Sequence, residues 1–538
     1  MTMVPRVADR MAATLFQSGI RHAFGMPGGE VTTLIDGLER AGISFVLARN
    51  ETAAAMMAAG TCLEAKRPGL LVTTIGPGLA NAINGIADAM QELAPLIVIS
   101  GTIEEKLRGR YTHQVVDHRQ LLAPVVKASF EVSGETASAV VARAIRLAMT
   151  HPRGPVHIDL SPSLAAAASK EACDGSFVSL RSAAPDPADP LLQAVRARIG
   201  AAIRPVILAG HDAVRDPLAA TFTELADQFQ IPVVTTYKAK GLIDESHPLS
   251  IGSAGLSPLA DEQILPLLQR ADLVLMLGYD PIEMRAGWLD PVGDDSRIIE
   301  LGPHHDHGMH TAGLRVEGAP VGLLNAILSG AQPKALWPEG EAKGVRDRLR
   351  DAFEGPAGWG PHQIFKGLRE HLPQDALVSV DSGAHRILLS QIWRSARPFG
   401  LAQSSGWCTM GSAIPLAIGR KLSHPDSRVV AVLGDGGLEM TLGELGTLRD
   451  QGLALTVLVL QDGSLELIGQ KQDQAGLLRR AVAMGRTDYA AIARSFGGQG
   501  FQVTSETELA IALRSAADLN GFSLIVCEIA DHGYAGWI

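Results

Sequence analysis

Two aspartates that end apolar runs in the C-terminal third of the chain could bind a divalent cation. Asp435 follows the run 429–433 within the turn 434–437, and Asp462 follows the run 454–460. Such short apolar runs predict strands buried on both faces, and parallel strands end at one edge of a sheet. Carboxylate oxygens suit Mg²⁺, and glycine-turn amides at a helix N-terminus suit phosphate. The pattern predicts a site for a metal-bound diphosphate, although an ordinary βαβ unit with solvated turn aspartates has the same sequence pattern.

A second group of candidate residues lies near the N-terminus. Glu51 follows a predicted strand at 45–48 and begins a predicted helix, while the loop Gly76–Asn81 follows a predicted strand at 70–74. We expect these two strands to be adjacent, which would bring Glu51 and the loop to the sheet edge where open α/β folds bind ligands. A lone glutamate here could instead be a helix cap. The glycine-rich segment 24–29 lies between two predicted helices and by itself is typical of a structural turn.

Three further segments contain residue types that could carry chemistry. His113-Gln114 and the nearby Asp117-His118 could orient a small substrate or could simply be solvated. The His- and Asp-rich segment 304–310 has no helical spacing and no cysteine, so we expect a solvated loop there and no metal site. Met410 lies in a Gly- and Ser-rich loop, where its usual role would be to fill the core.

Composition and charge exclude several classes of protein. The chain has 538 residues, of which 46% are hydrophobic and 19% charged, and its net charge is −10. No Lys/Arg-rich block is present, so nucleic acid and anionic membranes are not expected partners. The four cysteines contain no CxxC pair, which indicates a reducing compartment and argues against a cysteine zinc site. Charges interrupt the first apolar pattern and no apolar run is long enough to span a membrane, so we expect a cytoplasmic protein.

Alternation of predicted helices and strands indicates an α/β protein with three doubly wound parallel-sheet domains. We expect the first domain at residues 1–164, the central domain at 191–330 and the third domain at 361–538. The segments 165–190 and 331–360 are rich in small, polar and proline residues and predict linkers.

Taken in order, these motifs resemble those of thiamine diphosphate enzymes of the acetolactate synthase, pyruvate oxidase and pyruvate decarboxylase family. The resemblance covers nearly the whole chain and implies a pyrimidine-binding first domain and a diphosphate-binding third domain. It implies that Asp435, Asp462 (where the family usually has Asn) and the backbone carbonyl of Ser464 bind Mg²⁺. The positions that match cofactor-binding residues of the family are Pro27, Gly28, Glu51, Thr74, Pro77, Asn81, Ser382, Gly383, Ala384, His385, Cys408, Met410, Gly434, Asp435, Gly436, Gly437 and Asp462.

The resemblance also implies a catalytic set made of Glu51, Gln114 and Met410. Glu51 would protonate the aminopyrimidine ring, and Met410 would wedge under the cofactor and bend it. In the family, Glu51 of one subunit serves the cofactor held by its partner, which implies a homodimer or homotetramer. The segment 277–283 and Trp288 resemble the FAD-free acetolactate synthases, and the central domain shows no clear FAD-holding pattern.

Three functions remain open at this stage, and all of them involve small 2-oxo acid substrates or the cofactor alone. The first is a carboligase that decarboxylates pyruvate or a similar 2-oxo acid and transfers the product to a second 2-oxo acid. The second is a decarboxylase that releases an aldehyde, and the third is a non-catalytic thiamine diphosphate-binding protein. Gln114 stands where decarboxylases of the family often carry the second His of a pair, which favours ligation. The family usually has His-Glu where this chain has Asn50-Glu51, Gly-Tyr-Ala where it has Gly60-Thr61-Cys62, and other acceptor-pocket residues at 461–466, so the substrate stays open.

Overall fold

Three parallel β-sheets, each with six strands, organise the chain. The computed structural model describes residues 4–107, 109–171, 185–280, 286–303, 311–329, 336–530 and 532–538. Helices connect successive strands, and every strand pairing in the described part is parallel. The expectation of three doubly wound α/β domains is therefore confirmed.

The N-terminal domain has the strand order β2-β1-β3-β4-β6-β5. Its strands are β1 (His22–Gly25), β2 (Ser44–Leu47), β3 (Gly69–Thr73), β4 (Leu96–Gly101), β5 (Ser129–Glu131) and β6 (Val156–Leu160). Its helices are α1 (Val7–Gln17), α2 (Thr32–Ala41), α3 (Glu51–Cys62), α4 (Pro77–Gln91), α5 (His118–Leu122), α6 (Ala137–Met149) and α7 (Pro162–Ala166).

Strand β1 corrects one expectation about this domain. The predicted strands at 45–48 and 70–74 are not adjacent, because β1 lies between them and pairs with both. The sequence hides β1 because it has only four residues and ends in the glycine segment 24–29. The connection from β1 leads to β2 on one side, and the later strands β3 and β4 lie on the other side, so the strand order reverses between β1 and β3. Such a topological switch point leaves a crevice at the carboxyl ends of the strands.

The central domain has the order β12-β11-β10-β7-β8-β9. Its strands are β7 (Pro205–Ala209), β8 (Val233–Thr236), β9 (Ser250–Ala254), β10 (Leu273–Leu277), β11 (Ile298–Gly302) and β12 (Leu314–Glu317). Its helices are α8 (Pro190–Ala201), α9 (His211–Val214), α10 (Phe222–Phe229), α11 (Pro258–Arg270) and α12 (Pro320–Leu328). The segment predicted as the second linker contains α13 (Glu341–Ala352), whose apolar residues Val345 and Leu349 are buried.

The C-terminal domain has the order β14-β13-β15-β16-β18-β17. Its strands are β13 (Leu377–Val380), β14 (Leu401–Gln403), β15 (Val429–Gly434), β16 (Thr456–Gln461), β17 (Gln499–Val503) and β18 (Ser523–Glu528). Its helices are α14 (Pro361–His371), α15 (Ala384–Ile392), α16 (Ala413–Ser423), α17 (Asp435–Thr441), α18 (Glu444–Asp450), α19 (Glu466–Gln474), α20 (Tyr489–Ser495) and α21 (Glu506–Ala517). β15 and β16 are parallel neighbours, as predicted. The segment after β15 forms two helices, and the first begins at Asp435 itself.

Helix α3 of the N-terminal domain packs closely against α16 of the C-terminal domain. A Cβ atom on Gly60 would lie 2.5 Å from the carbonyl oxygen of Leu416, and one on Gly419 would lie 2.0 Å from that of Met57. Real Cβ atoms do not approach oxygen this closely, so both positions require glycine. The apolar core is continuous across this contact, from Ala54 and Ala58 to Ile414 and Ala417. No helix in the described part of the chain has the length and apolar character needed to cross a membrane.

Candidate active site

The two predicted metal-binding aspartates lie at the carboxyl ends of neighbouring strands. Asp435 follows β15 and is 3% exposed, and its carboxylate accepts hydrogen bonds from the amides of Gly436 (2.9 Å) and Gly463 (2.8 Å). Asp462 follows β16 and accepts a hydrogen bond from the amide of Ser464 (2.9 Å). The amide of Gly463 therefore joins the loop after β16 directly to Asp435.

The electrostatics of Asp435 and Asp462 favour a bound cation. Burial raises the pKa of Asp435 above its ordinary value. Burial and the charge of Asp435 together raise the pKa of Asp462 to about 7. A divalent ion stabilises two neighbouring carboxylates that repel each other, here the buried Asp435 and the half-buried Asp462, and oxygen donors are those that Mg²⁺ prefers.

The segment after β13 forms a polar cradle beside these aspartates. Asp381 accepts hydrogen bonds from the amides of Gly411 (2.8 Å) and Ser412 (2.9 Å), and this carboxylate would lie 2.0 Å from a Cβ atom on Gly437. Within the described residues, Ser382 Oγ and His385 Nε2 are buried without a hydrogen-bond partner. Burial lowers the pKa of His385 to about 3, so its ring is neutral at pH 7.

These unpartnered atoms fit a bound ligand. Buried polar atoms nearly always have a hydrogen-bond partner, so Ser382 Oγ and His385 Nε2 indicate that a polar group belongs here. The helix α15 begins at Ala384, directly after Gly383, and α17 begins at Asp435, so two helix N-termini face the same edge of the sheet. Helix N-termini attract phosphate, which matches the diphosphate end of thiamine diphosphate.

Met410 lies in the loop between β14 and α16, beside the turn after β15. Its Cε atom would lie 3.6 Å from a Cβ atom on Gly436. Cys408 precedes it in a left-handed backbone conformation (φ 57°), and its thiol donates to the carbonyl of Ser405. The loop is therefore tightly folded, and Met410 lies next to the turn 434–437 instead of filling a core distant from it.

Helix α4 of the N-terminal domain holds this loop. The carboxylate of Asp88 accepts hydrogen bonds from the hydroxyls of Ser404 (2.5 Å) and Thr409 (3.1 Å). Glu92 accepts hydrogen bonds from the amides of Ser405 and Gly406, both at 2.7 Å. Sequence reasoning missed both acidic residues, since their partners lie more than three hundred positions away along the chain.

The N-terminal candidates gather at the switch point of the first sheet. Glu51 is 5% exposed at the start of α3, and its carboxylate accepts a hydrogen bond from the Asn81 side chain (3.2 Å). A Cβ atom on Gly78 would lie 2.3 Å from Thr74 Oγ1 and 3.2 Å from Glu51 Oε1. Glu51, Thr74 and Asn81 therefore lie close together, and position 78 has room only for glycine.

The turns around this space also need glycine. Gly76 has a positive φ (57°), and a Cβ atom there would lie 2.2 Å from the carbonyl oxygen of Gln114. A Cβ atom on Gly28 would lie 2.4 Å from the Thr74 side chain. The loop that contains Gln114 thus contacts the turn before Pro77, the first residue of α4, and Pro27 lies exposed beside Gly28.

Three sequence-family models match successive parts of the chain. Residues 5–121 match the thiamine pyrophosphate enzyme N-terminal TPP binding domain, residues 192–320 the central domain, and residues 381–527 the C-terminal TPP binding domain. The chain is 30% identical to an acetolactate synthase of Bacillus subtilis strain 168 over 531 residues, which cover 96% of this chain and 92% of that protein. The chain belongs to the thiamine pyrophosphate enzyme family.

Other family members are also similar to this chain over most of their length. The chain is 28% identical over 541 residues to the acetolactate synthase isozyme 1 large subunit of Escherichia coli K12, covering 97% of this chain and 93% of that protein. It is 29% identical over 494 residues to the acetolactate synthase large subunit of Lactococcus lactis subsp. lactis, and these residues cover 88% of this chain and 83% of that protein. The resemblance seen in the sequence is therefore confirmed over almost the whole chain.

In this thiamine pyrophosphate enzyme the candidate residues form two groups. Glu51, Thr74, Asn81 and their neighbours belong to the N-terminal domain, and the Asp435 group belongs to the C-terminal domain. No hydrogen bond or ion pair among the described residues links the two groups within one chain. Residues 304–310 and 281–283 lie outside the described residues, so the expectations for 304–310 and for the segment 277–283 stay untested.

Asn50, where the family usually has His, has a clear structural role. Its side chain caps α3 by accepting a hydrogen bond from the amide of Thr52 (2.8 Å). An N-cap of this kind stabilises a helix by about 1 kcal/mol. The cap fixes the first turn of α3, which contains Glu51.

Proposed function

We propose that this thiamine pyrophosphate enzyme is an acetolactate synthase-like carboligase. In the proposed reaction, pyruvate or a similar 2-oxo acid is decarboxylated and the remaining acyl group is transferred to a second 2-oxo acid. The observation that carries the proposal is the buried Glu51 carboxylate, which accepts a hydrogen bond from Asn81 at the carboxyl edge of the first sheet. The names of the relatives support the reaction class.

Each group of residues has a proposed task. Asp435, Asp462 and the carbonyl of Ser464 hold Mg²⁺, and Ser382, Gly383 and His385 bind the diphosphate of the cofactor. When bound, thiamine diphosphate supplies the electron sink that decarboxylation of a 2-oxo acid requires.

The remaining residues act on the cofactor ring and on the substrate. Glu51 holds a proton at the pyrimidine ring, and Asn81 orients the Glu51 carboxylate. Met410 fixes the bend of the cofactor, and Gln114 orients the substrate. Burial of Glu51 strengthens its interaction with the ring, because charges and hydrogen bonds act more strongly in a site that excludes water.

We propose the assembly from the family resemblance, in which the residue that matches Glu51 in one subunit serves the cofactor held by its partner. We therefore infer a homodimer or a homotetramer built from such dimers. Light scattering combined with gel filtration measures the mass, and a monomer that is fully active with cofactor would contradict this assembly.

Ligation is favoured over simple decarboxylation by Gln114. A decarboxylase needs an acid that protonates the intermediate after CO₂ leaves, and a glutamine amide cannot provide a proton at pH 7. The backbone of Gln114 adjoins Gly76, so this residue lies in the loop nearest to Glu51 and Asn81.

The decisive experiment offers the purified protein thiamine diphosphate, Mg²⁺ and a panel of 2-oxo acids. Release of CO₂ together with acetolactate from pyruvate alone would support the carboligase. Release of acetaldehyde without ligation would favour the decarboxylase. Cofactor binding without turnover of any 2-oxo acid in the panel would favour the non-catalytic protein.

A further inference from the structure

A cluster of buried titratable side chains in the N-terminal domain takes no part in the proposed reaction. His157 and Asp159 lie on the same face of β6, two residues apart, and His118 begins α5. His118 Nδ1 lies 2.7 Å from Asp159 Oδ1, and His157 Nε2 lies 3.5 Å from the same oxygen. One donor atom from each of the three side chains lies within 4.8 Å of the other two.

Each member of this cluster is removed from solvent. His157 is 0% exposed, His118 4% and Asp159 8%. Nε2 of both histidines is buried without a hydrogen-bond partner in the described part of the chain. Interior polar atoms normally have partners, so the unpartnered Nε2 of His157, which lies 3.5 Å from the Asp159 carboxylate, indicates a missing binding partner.

The ring of His157 is oriented as a metal ligand would be. Its Nδ1 lies 3.2 Å from Ser129 Oγ, which leaves the Nε2 atom directed to the side of Asp159. Metal-binding histidines commonly hold the second ring nitrogen in such a hydrogen bond. Burial lowers the pKa of His157 to about 4, so the ring is neutral at pH 7, as metal binding requires.

An ion pair between His118 and Asp159 is the simpler interpretation of the 2.7 Å contact. That pair alone leaves Nε2 of His157 without a partner, whereas a metal ion uses all three side chains. We propose that His118, His157 and Asp159 bind a divalent transition metal ion, and that zinc is the ion that suits this donor set. Two imidazole nitrogens and one carboxylate oxygen are common zinc ligands, with water in the fourth position.

The geometry requires modest adjustments in both directions. Zinc ligands at about 2.0–2.2 Å from the ion lie about 3.3–3.5 Å from one another in a tetrahedron. The 3.5 Å contact already has this separation, the 2.7 Å contact must open by about 0.6–0.8 Å, and a pair as far apart as 4.8 Å must close by about 1.3–1.5 Å. Binding would fasten the start of α5 to β6. Gln114 precedes α5 by four residues, so the ion would also restrain the loop that contains Gln114.

Metal analysis of the intact protein tests the proposal. The protein is purified after growth with zinc and is desalted in buffer that contains Mg²⁺ and thiamine diphosphate. Mass spectrometry of metals should then find one zinc ion per chain, and X-ray absorption at the zinc edge should show imidazole ligands. Replacement of zinc by Co²⁺ should give the visible absorption of a tetrahedral site.

Variants show whether the ion lies in this cluster. His118→Gln, His157→Gln and Asp159→Asn should each lose the zinc. His22→Gln, another partly buried histidine of the same domain, should keep it. Asp435→Asn should also keep the zinc. Loss of zinc from that variant would show that the ion was bound at the candidate Mg²⁺ site, and this result would overturn the proposal.

Measurements on the wild-type protein alone can refute the proposal, so the test does not depend on whether any variant folds. If the wild-type protein neither retains zinc nor binds Co²⁺ with imidazole ligands, the cluster is an ion pair with an adjacent neutral histidine and the proposal is wrong. Zinc that persists in folded His157→Gln and Asp159→Asn proteins would overturn it as well. None of these measurements uses turnover, so the proposal stands or fails independently of the carboligase reaction.

Discussion

Asp88 of the N-terminal domain and Thr409 of the C-terminal domain are joined by a hydrogen bond of 3.1 Å. Thr409 immediately precedes Met410, so the first domain helps to position Met410, the residue that we propose bends the cofactor. Lys238 of the central domain forms an ion pair with Glu92 (2.9 Å), one turn further along the same helix. The loop at 404–409 is thus anchored where all three domains meet.

Replacement of Asp88 by Ala should loosen this loop. The hydroxyls of Ser404 and Thr409 would lose a buried acceptor, and an unsatisfied buried group costs about 1–3 kcal/mol. We expect a lower Tm, a lower kcat and weaker binding of thiamine diphosphate, measured by calorimetry. Asp518→Ala, at the exposed end of α21, is the matched control and should leave all three unchanged. An Asp88→Ala enzyme with wild-type cofactor affinity and kcat would show that the loop is positioned without Asp88.

The same residue predicts a pH dependence of stability. Burial, followed by repulsion from Glu92, raises the pKa of Asp88 from its ordinary value of 3.8 to about 7. The folded protein therefore keeps a proton that the unfolded chain releases, and the free energy of unfolding falls as pH rises through this interval. Urea unfolding between these pH values should show a steeper decline in wild type than in Asp88→Asn, since the raised pKa of Asp462 contributes to the decline in both proteins. Equal slopes for the two proteins would contradict the prediction.

Glu51→Gln should abolish turnover and spare cofactor binding. A glutamine keeps the shape of the side chain but cannot exchange a proton, and general acid–base catalysis typically contributes about 10²–10⁴-fold. We expect kcat for pyruvate to fall by at least about 100-fold while the Kd for thiamine diphosphate changes much less. Glu135→Gln, an exposed glutamate of the same domain, is the control. Unchanged turnover in Glu51→Gln would remove the proton-transfer role.

Asp462→Asn should lower the affinity for Mg²⁺ and raise the stability of the metal-free protein. Removing one charge relieves the repulsion that raises the pKa of Asp462, so the metal-free protein should have a higher Tm. The amide oxygen remains a ligand, but the loss of charge should raise the Mg²⁺ concentration needed for half-maximal activity. Asp435→Asn should have the larger effect on Mg²⁺, because Asp435 also accepts the amide of Gly463. A lower Tm in metal-free Asp462→Asn would show that its bond to Ser464 outweighs the repulsion.

Gly419→Ala should destabilise the contact between the first and third domains. The added methyl group meets the Met57 carbonyl at 2.0 Å, and overpacking of this kind costs about 1–3 kcal/mol. We expect a lower Tm in thermal unfolding monitored by circular dichroism. Gly200→Ala is the control, because its Cβ atom would have no neighbour within 4 Å. A Gly419→Ala protein as stable as wild type would mean that α3 and α16 can separate without cost.

Strands with long apolar runs could be predicted from the sequence to within two residues, and short or polar strands could not. The predicted strands 70–74, 429–433 and 454–460 lie within two residues of β3, β15 and β16, which are buried almost throughout. The edge strands β5, β14 and β17 were missed: β5 and β14 have three residues each, and β17 reads Gln-Gly-Phe-Gln-Val. Edge strands bury fewer residues, so they lack the signal on which the prediction depends.

Some residues of the candidate site could likewise be predicted from the sequence, and others could not. Residues in contiguous motifs, such as the turn 434–437, could be predicted because each motif implies its own turn and helix. Asp88 and Glu92 could not, because a helical carboxylate has no sequence feature that distinguishes a buried partner in another domain from solvent. The contact between Gly60 and Leu416 was hidden for the same reason, since packing between distant helices leaves only a glycine in the sequence.

The first and third sheets share one strand order: counted within each domain, it runs second, first, third, fourth, sixth, fifth. The central sheet runs sixth, fifth, fourth, first, second, third. The candidate residues follow the first three strands in the N-terminal domain and the first four strands in the C-terminal domain. One architecture therefore occurs twice, and we propose that its two copies bind opposite ends of a ligand. Duplication and fusion of an ancestral gene would leave this pseudo-symmetry, and an asymmetric ligand then explains why the two copies diverged in sequence while the topology persisted.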